Sequence, residues 1–226
     1  MSFKANLTGN LAYQSQMKGE VDKARSLYEA ALAEGMDKPN LIDAYGVLLM
    51  KAGEFDKAIE IFTKALKYVP TLSMRYPIRV HRAIAYLKKG DSKSAQVALE
   101  DIHQKAELES VYETLGYLYI ITDDEKARTF NEKAINAFPE NAVILDNIGQ
   151  YYLQKGHPEI AKEFLEEAYE INDHMVEVNF HLAQVAQSEG DTAKAKEYLQ
   201  KAKECPISAI NDTKEKDIDA LMQKLN

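Results

Sequence analysis

The 226-residue sequence has no tryptophan, one cysteine, six prolines and ten glycines. A single cysteine, Cys205, excludes an intramolecular disulfide and a cysteine-based zinc knuckle, and it fits a reducing compartment. So little proline and glycine leaves little chain for linkers. The longest apolar runs, YGVLLM and YLYII, fall far short of the roughly 20 residues that cross a bilayer. The amino-terminal MSFKANLTGNLAYQSQ lacks the apolar stretch of a signal peptide. These absences read as a cytoplasmic protein without membrane contact, in which the sequon-like Asn6-Leu7-Thr8 has no meaning. There is no glycine-rich phosphate loop, HExxH, CxxC or nucleophile elbow, so no catalytic, cofactor or metal residue is expected. Basic charge is also short. Against 36 Asp and Glu stand 28 Lys and Arg, and the formal −8 argues against a general nucleic-acid binder.

What is present is helical patterning. Hydrophobic residues make up 46% and charged residues 28%, the balance of a folded chain. Ala58, Phe62 and Ala65 fall at i, i+4 and i+7, one stripe of a helix. Small residues there let a neighbouring backbone come close while the ring fills the remaining space. The stripe recurs as Ala24/Tyr28/Ala31, Ala161/Leu165/Ala168 and Ala195/Leu199/Ala202, with weaker copies at Ala95/Leu99/Ile102 and Ala127/Asn131/Ala134. The leading alanines step by 34, 37, 32, 34 and 34 residues, a period of helical hairpins in a row. Upstream of each lies a second stripe with its own small residue, among them Ala12, Gly46, Ala83, Gly116, Gly149 and Ala183. Gly19, Gly53, Gly90, Gly156 and Gly190 fall between the stripes, followed by polar residues, where one helix ends and the next begins.

Residues 42–70, with Tyr45, Gly46, Gly53, Ala58, Phe62, Ala65 and Pro70 in place, and residues 145–168 resemble the tetratricopeptide repeat family over nearly the whole chain. The resemblance implies an all-α fold, a right-handed α-solenoid of six helical hairpins with first helices A and second helices B. The repeats fall at about 4–37, 38–72, 73–105, 106–140, 141–173 and 174–207, and residues 209–226 form a capping helix through Ile218, Leu221, Met222 and Leu225. No domain boundary is expected. Three extra residues near 71–75, Arg79 and Arg82 in place of apolar residues, and Asn131 in place of an aromatic predict irregularity at repeats three and four. Phe130 is expected to replace Asn131 in the packing by a slight helix rotation.

Other chemistry reads as structural. His174 and His181 are seven apart, about two turns, too far for one ion. Asp123 and Asp124, like Asp56, Asp91 and Asp191, sit where they cap or start a helix.

The family resemblance implies a protein-binding scaffold, a non-enzyme, with its groove on the A helices. The inward positions are Tyr13, Asp43, Val47, Met50, Val80, Ile84, Leu87, Glu113, Tyr117, Ile120, Asp146, Gln150, Phe180 and Gln184. The clamp by which some family members hold acidic tails is lacking, since Gly9, Tyr13 and Ala44 stand at its positions. With Asp43, Glu113 and Asp146 facing in, the expected partner is a protein or peptide with apolar anchors and neutral or basic character. The alternative is a homodimer through the outer or end faces.

Overall fold

The computed structural model describes residues 2–225, and among these there are thirteen α-helices and no strand. The chain divides into two compact units, Met1–Ala106 and Glu107–Asn226. The division falls in a polar stretch in which Gln104, Lys105 and Glu107 are exposed.

The first unit holds α1 (Ser2–Met17), α2 (Val21–Ala33), α3 (Pro39–Lys51), α4 (Phe55–Ala65), α5 (Leu72–Lys89) and α6 (Ser92–His103). Consecutive helices pack on one another, and first helices of successive pairs, α1 with α3 and α3 with α5, also touch. The alanine stripe is what closes each pair. Ala58, Phe62 and Ala65 are fully buried, and a Cβ built on Gly46 would come within 2.4 Å of the Phe62 ring. The turn into α4 shows why glycine separates the stripes: Gly53 has φ 81°, and the Glu54 amide donates back to the Leu49 carbonyl at 2.9 Å. The three extra residues before repeat three lengthen α5 to 18 residues, with exposed Pro77 near its start.

The second unit holds α7 (Glu109–Ile121), α8 (Ala127–Ala137), α9 (Ala142–Gln154), α10 (Pro158–Ile171), α11 (Val176–Ser188), α12 (Thr192–Glu204) and α13 (Glu215–Lys224). Its α7–α8 turn lacks glycine, and Asp123 takes the left-handed position at φ 51°, held by Lys155 at 2.7 Å. The Asp124 amide still donates to the Tyr119 carbonyl at 2.9 Å, so the turn keeps its form. Asp91 and Asp191 do cap helices, each accepting an amide hydrogen three residues on, whereas Asp123 is a turn residue and not a cap.

No helix rotation occurs at repeat four. Asn131 stays in the aromatic's place, fully buried, because its amide donates to the Gly116 and Ala127 carbonyls at 3.2 and 2.8 Å. Phe130 instead lies beside it, stacked on Tyr112 and edge-on to Tyr119. At the end of the unit, Ile218 and Leu221 of α13 are buried against Val176, Ala183, Leu199 and Ala202. Lys214 anchors the approach to α13 by donating to the Ser208 and Ala209 carbonyls.

Candidate functional site

In each unit the first helices of successive pairs are joined by one recurring contact. In the first unit, Asp43 of α3 lies 3.0 Å from Nδ1 of His81 on α5. In the second, Asp146 of α9 lies 2.7 Å from Nδ1 of His181 on α11. Both acids stand three residues before the small residue of their helix, Gly46 or Gly149, and both histidines two residues before theirs, Ala83 or Ala183. Between α7 and α9 the same positions carry Glu113 and Asn147, and the Asn147 amide donates to the Glu113 carbonyl at 2.8 Å. The contacts are equivalent in sequence and differ in burial. His81 and Asp43 keep 34% and 17% of their side-chain exposure, His181 and Asp146 only 9% and 7%.

Burial alone would lower the His181 pKa, but the bonded Asp146 carboxylate, with Glu177 and Asp212 nearby, outweighs it and holds the imidazole above its ordinary 6.5. Burial raises Tyr117, and its hydroxyl is bonded to Asp212. Burial likewise raises Glu113, against the lowering effect of its bond from Asn141. Asn211 and the Asp212 amide both donate to Glu177 at 3.1 Å, which brings the segment after α12 onto α11.

Beside this network is a cleft of about 550 Å³ lined by Gln150, Leu153 and Gln154 of α9, Phe180, His181, Gln184 and Gln187 of α11, and Asp212, Thr213 and Asp217. Three of the expected groove residues, Gln150, Phe180 and Gln184, meet in it. Glu113 and Tyr117 are half-buried on α7, and Asp43, Val47 and Ile84 are half-buried in the first unit, where Tyr13 is exposed on α1. The remaining expectations are corrected: Met50, Val80, Leu87, Ile120 and Asp146 are buried, at 2–7% of full exposure, and offer no open side chain. A first helix is flanked both by its own second helix and by neighbouring first helices, so only a narrow strip of it stays open. The α5 arginines also fall elsewhere than the inward face: Arg79 bonds Asp101 of α6 and Arg82 bonds Thr63 of α4.

The sequence reading missed Gln187, Leu153 and the segment around Asp212. Gln187 follows Gln184 by three residues on one helical face, which was a legible signal, whereas the Asn211-Asp212 segment carries no period. No group of three or more His, Cys, Asp or Glu with metal-holding geometry exists among the described residues. None of the described helices is long and apolar enough to cross a membrane.

Profiles of the tetratricopeptide repeat family match residues 49–115 and, separately, 142–174 and 176–204, together more than half of the chain. No curated protein matches the sequence. Among solved structures, a tetratricopeptide repeat protein from Parabacteroides merdae is similar at TM-score 0.81 and 14% identity, covering 98% of this chain and 84% of that one. A chain of the APC/C hetero-tetramer Cut9–Hcn1 is similar at TM-score 0.75 and 14% identity over 98% of this chain and 42% of its own. The type IV pilus biogenesis factor PilW follows at 0.71 and 13%, over 90% and 94%. At such identities the likeness is one of fold. Repeats of this kind generally mediate protein–protein interaction, on a fold that is typically non-enzymatic. The repeat period, the buried alanine stripes and the matching profiles agree that this chain is an all-α member of the tetratricopeptide repeat family.

Proposed function

We propose that the chain is a non-enzymatic scaffold that holds a segment of another protein, lying extended in the cleft between α9 and α11. The observation that carries this reading is the row of amides. Gln150, Gln154, Gln184 and Gln187 line one cleft, and no side-chain hydrogen bond engages any of them among the described residues. A glutamine amide offers donors and an acceptor together. An extended main chain offers the complementary groups at every residue, so amides hold backbone without dictating the side chains it bears. Phe180 and Leu153 add apolar contact, and Asp212, Asp217 and Glu177 make the surroundings negative. A neutral or basic segment suits that field.

A displayed peptide library selected on the full chain tests this. The enriched sequences should lose about tenfold or more in affinity for Phe180→Glu or for Gln150→Ala with Gln184→Ala. Lys64→Glu on α4 should change nothing. Peptides that bind the Phe180→Glu chain as tightly as the parent would place recognition elsewhere.

Self-association is the second reading, and one feature favours it. On α1 the small residues Ala5, Gly9 and Ala12 are buried, while Phe3, Leu7, Leu11 and Met17 are exposed at 84%, 53%, 48% and 69%. No charge falls between Lys4 and Lys18. Light scattering across a concentration series distinguishes the readings: a dimer that Leu7→Glu returns to monomer would support this one.

A further inference from the structure

Charge is unevenly spread along the first unit. Residues 61–90 contain seven Lys and Arg and no Asp or Glu, in a chain whose formal net charge is −8. Arg75, Arg79, Arg82 and Tyr86 follow one another at spacings of four, three and four, one stripe of α5 on the side away from Ile84. Each guanidinium is fixed to a neighbouring element: Arg75 to the Leu66 carbonyl at 3.0 Å, Arg79 to Asp101 at 2.6 Å and Arg82 to the Thr63 hydroxyl at 3.2 Å. A guanidinium has five N–H donors, so most remain available, and a fixed one loses little further freedom on binding.

Between α5 and α6, Arg79 and Arg82 open onto a cleft of about 550 Å³, whose wall includes Tyr86, Lys93 and the 63%-exposed Val97. Its only carboxylate, Asp101, is shared by Arg79 and Lys105. No acidic side chain bonds Arg82 or Lys93 among the described residues. The cleft is therefore a positive site with an apolar wall.

We infer that this cleft is a second docking surface, one that takes an acidic segment of another protein, with carboxylates on Arg82 and Lys93 and an apolar side chain against Val97 and Tyr86. Charge complementarity selects the occupant. A nucleic acid needs a longer basic track than two uncompensated cations and meets repulsion from the rest of an acidic chain. The surface lies on helices other than α9 and α11, so the inference stands apart from the function proposed above.

Fluorescence anisotropy of the full chain with a short labelled Glu/Leu peptide tests it, alongside a Lys/Leu peptide of equal length, a short single-stranded RNA and phosphatidylserine vesicles. The Glu/Leu peptide should bind, and added salt should weaken it. Arg82→Glu with Lys93→Glu should lower its affinity about tenfold or more, while Arg82→Lys keeps most of it. Gln150→Ala with Gln184→Ala should leave it unchanged, which separates this site from the α9–α11 cleft. Should the double reversal fail to fold by circular dichroism, the exposed Lys93→Glu alone carries the test. Equal binding by the folded reversed chain would overturn the inference. So would RNA or vesicles binding in place of the peptide and lost on the same reversal, or a dimer that Arg82→Glu dissociates.

Discussion

The two units share one pattern of helix pairs and differ in charge. Met1–Ala106 holds sixteen Lys and Arg against twelve Asp and Glu, a formal +4, and Glu107–Asn226 holds twelve against twenty-four, a formal −12. Each joins its first helices by an Asp–His contact at the same repeat positions, half-open in one and buried in the other. The repeat fixes where an interaction occurs, while its surroundings fix what the interaction does. A half-open Asp43–His81 pair remains close to water, which limits its strength. A buried Asp146–His181 pair, with Glu177 and Asp212 close by, depends on a charged partner.

Removing one member of each pair should break the symmetry most sharply. His181→Ala leaves Asp146 buried without its partner and should cost about 3–5 kcal/mol in urea unfolding. The matching His81→Ala should cost about 1 kcal/mol or less. Equal losses would mean that burial does not separate the two contacts.

The small-residue crossings come next in size. Gly46→Ala would push a methyl to 2.4 Å from a buried aromatic ring, and Gly149→Ala to 2.6 Å from the branched Leu165. Overpacking of this kind costs about 1–3 kcal/mol, and the rigid ring places Gly46→Ala at the upper end. Denaturant midpoints that rank the two in reverse would contradict this view of the packing.

The buried pair also predicts a pH dependence of stability. His181 is held above 6.5, so the folded state binds the proton more tightly than the unfolded chain does. The stability this supplies is complete below pH 6.5 and is lost as pH rises through the raised folded value. Urea midpoints in steps above 6.5 should fall, and His181→Gln should flatten that slope. Facing the imidazole are Asp146, Glu177 and Asp212, with Tyr117 bonded to the last.

The smallest expected effect is a gain. Asp123 occupies a left-handed conformation that glycine fills in other turns, so Asp123→Gly should raise stability by about 0.5 kcal/mol, net of the exposed Lys155 ion pair. A thermal midpoint that drops would show the ion pair to be worth more than the backbone relief.

The repeat itself was legible because its signal is steric and local. Ala58, Phe62 and Ala65 occupy one stripe, and their period alone implies the pairing of helices. Repeat four was only half legible: the loss of glycine and aromatic could be seen at Asp123 and Asn131, but not that Asn131 would satisfy two carbonyls and hold its register. Groove membership was harder. Helical spacing places Val80 and Ile84 on neighbouring positions of one face, yet Val80 is covered by adjacent helices and Ile84 is not fully so, a distinction made by packing between distant residues. The Asp212 segment lies outside any periodic stretch, and only its contacts with Glu177 and Tyr117 bring it to the cleft. The recurring Asp and His positions were available in the sequence once it is aligned on its small residues.

On this reading, the two units carry separate binding surfaces of opposite charge preference. Amide hydrogen exchange of the full chain, measured once with the Glu/Leu peptide and once with a library-selected neutral or basic peptide, tests it most directly. Slowed exchange is expected in α5 and α6 with the acidic peptide and in α9 and α11 with the other. Protection of the same helices by both peptides would contradict it.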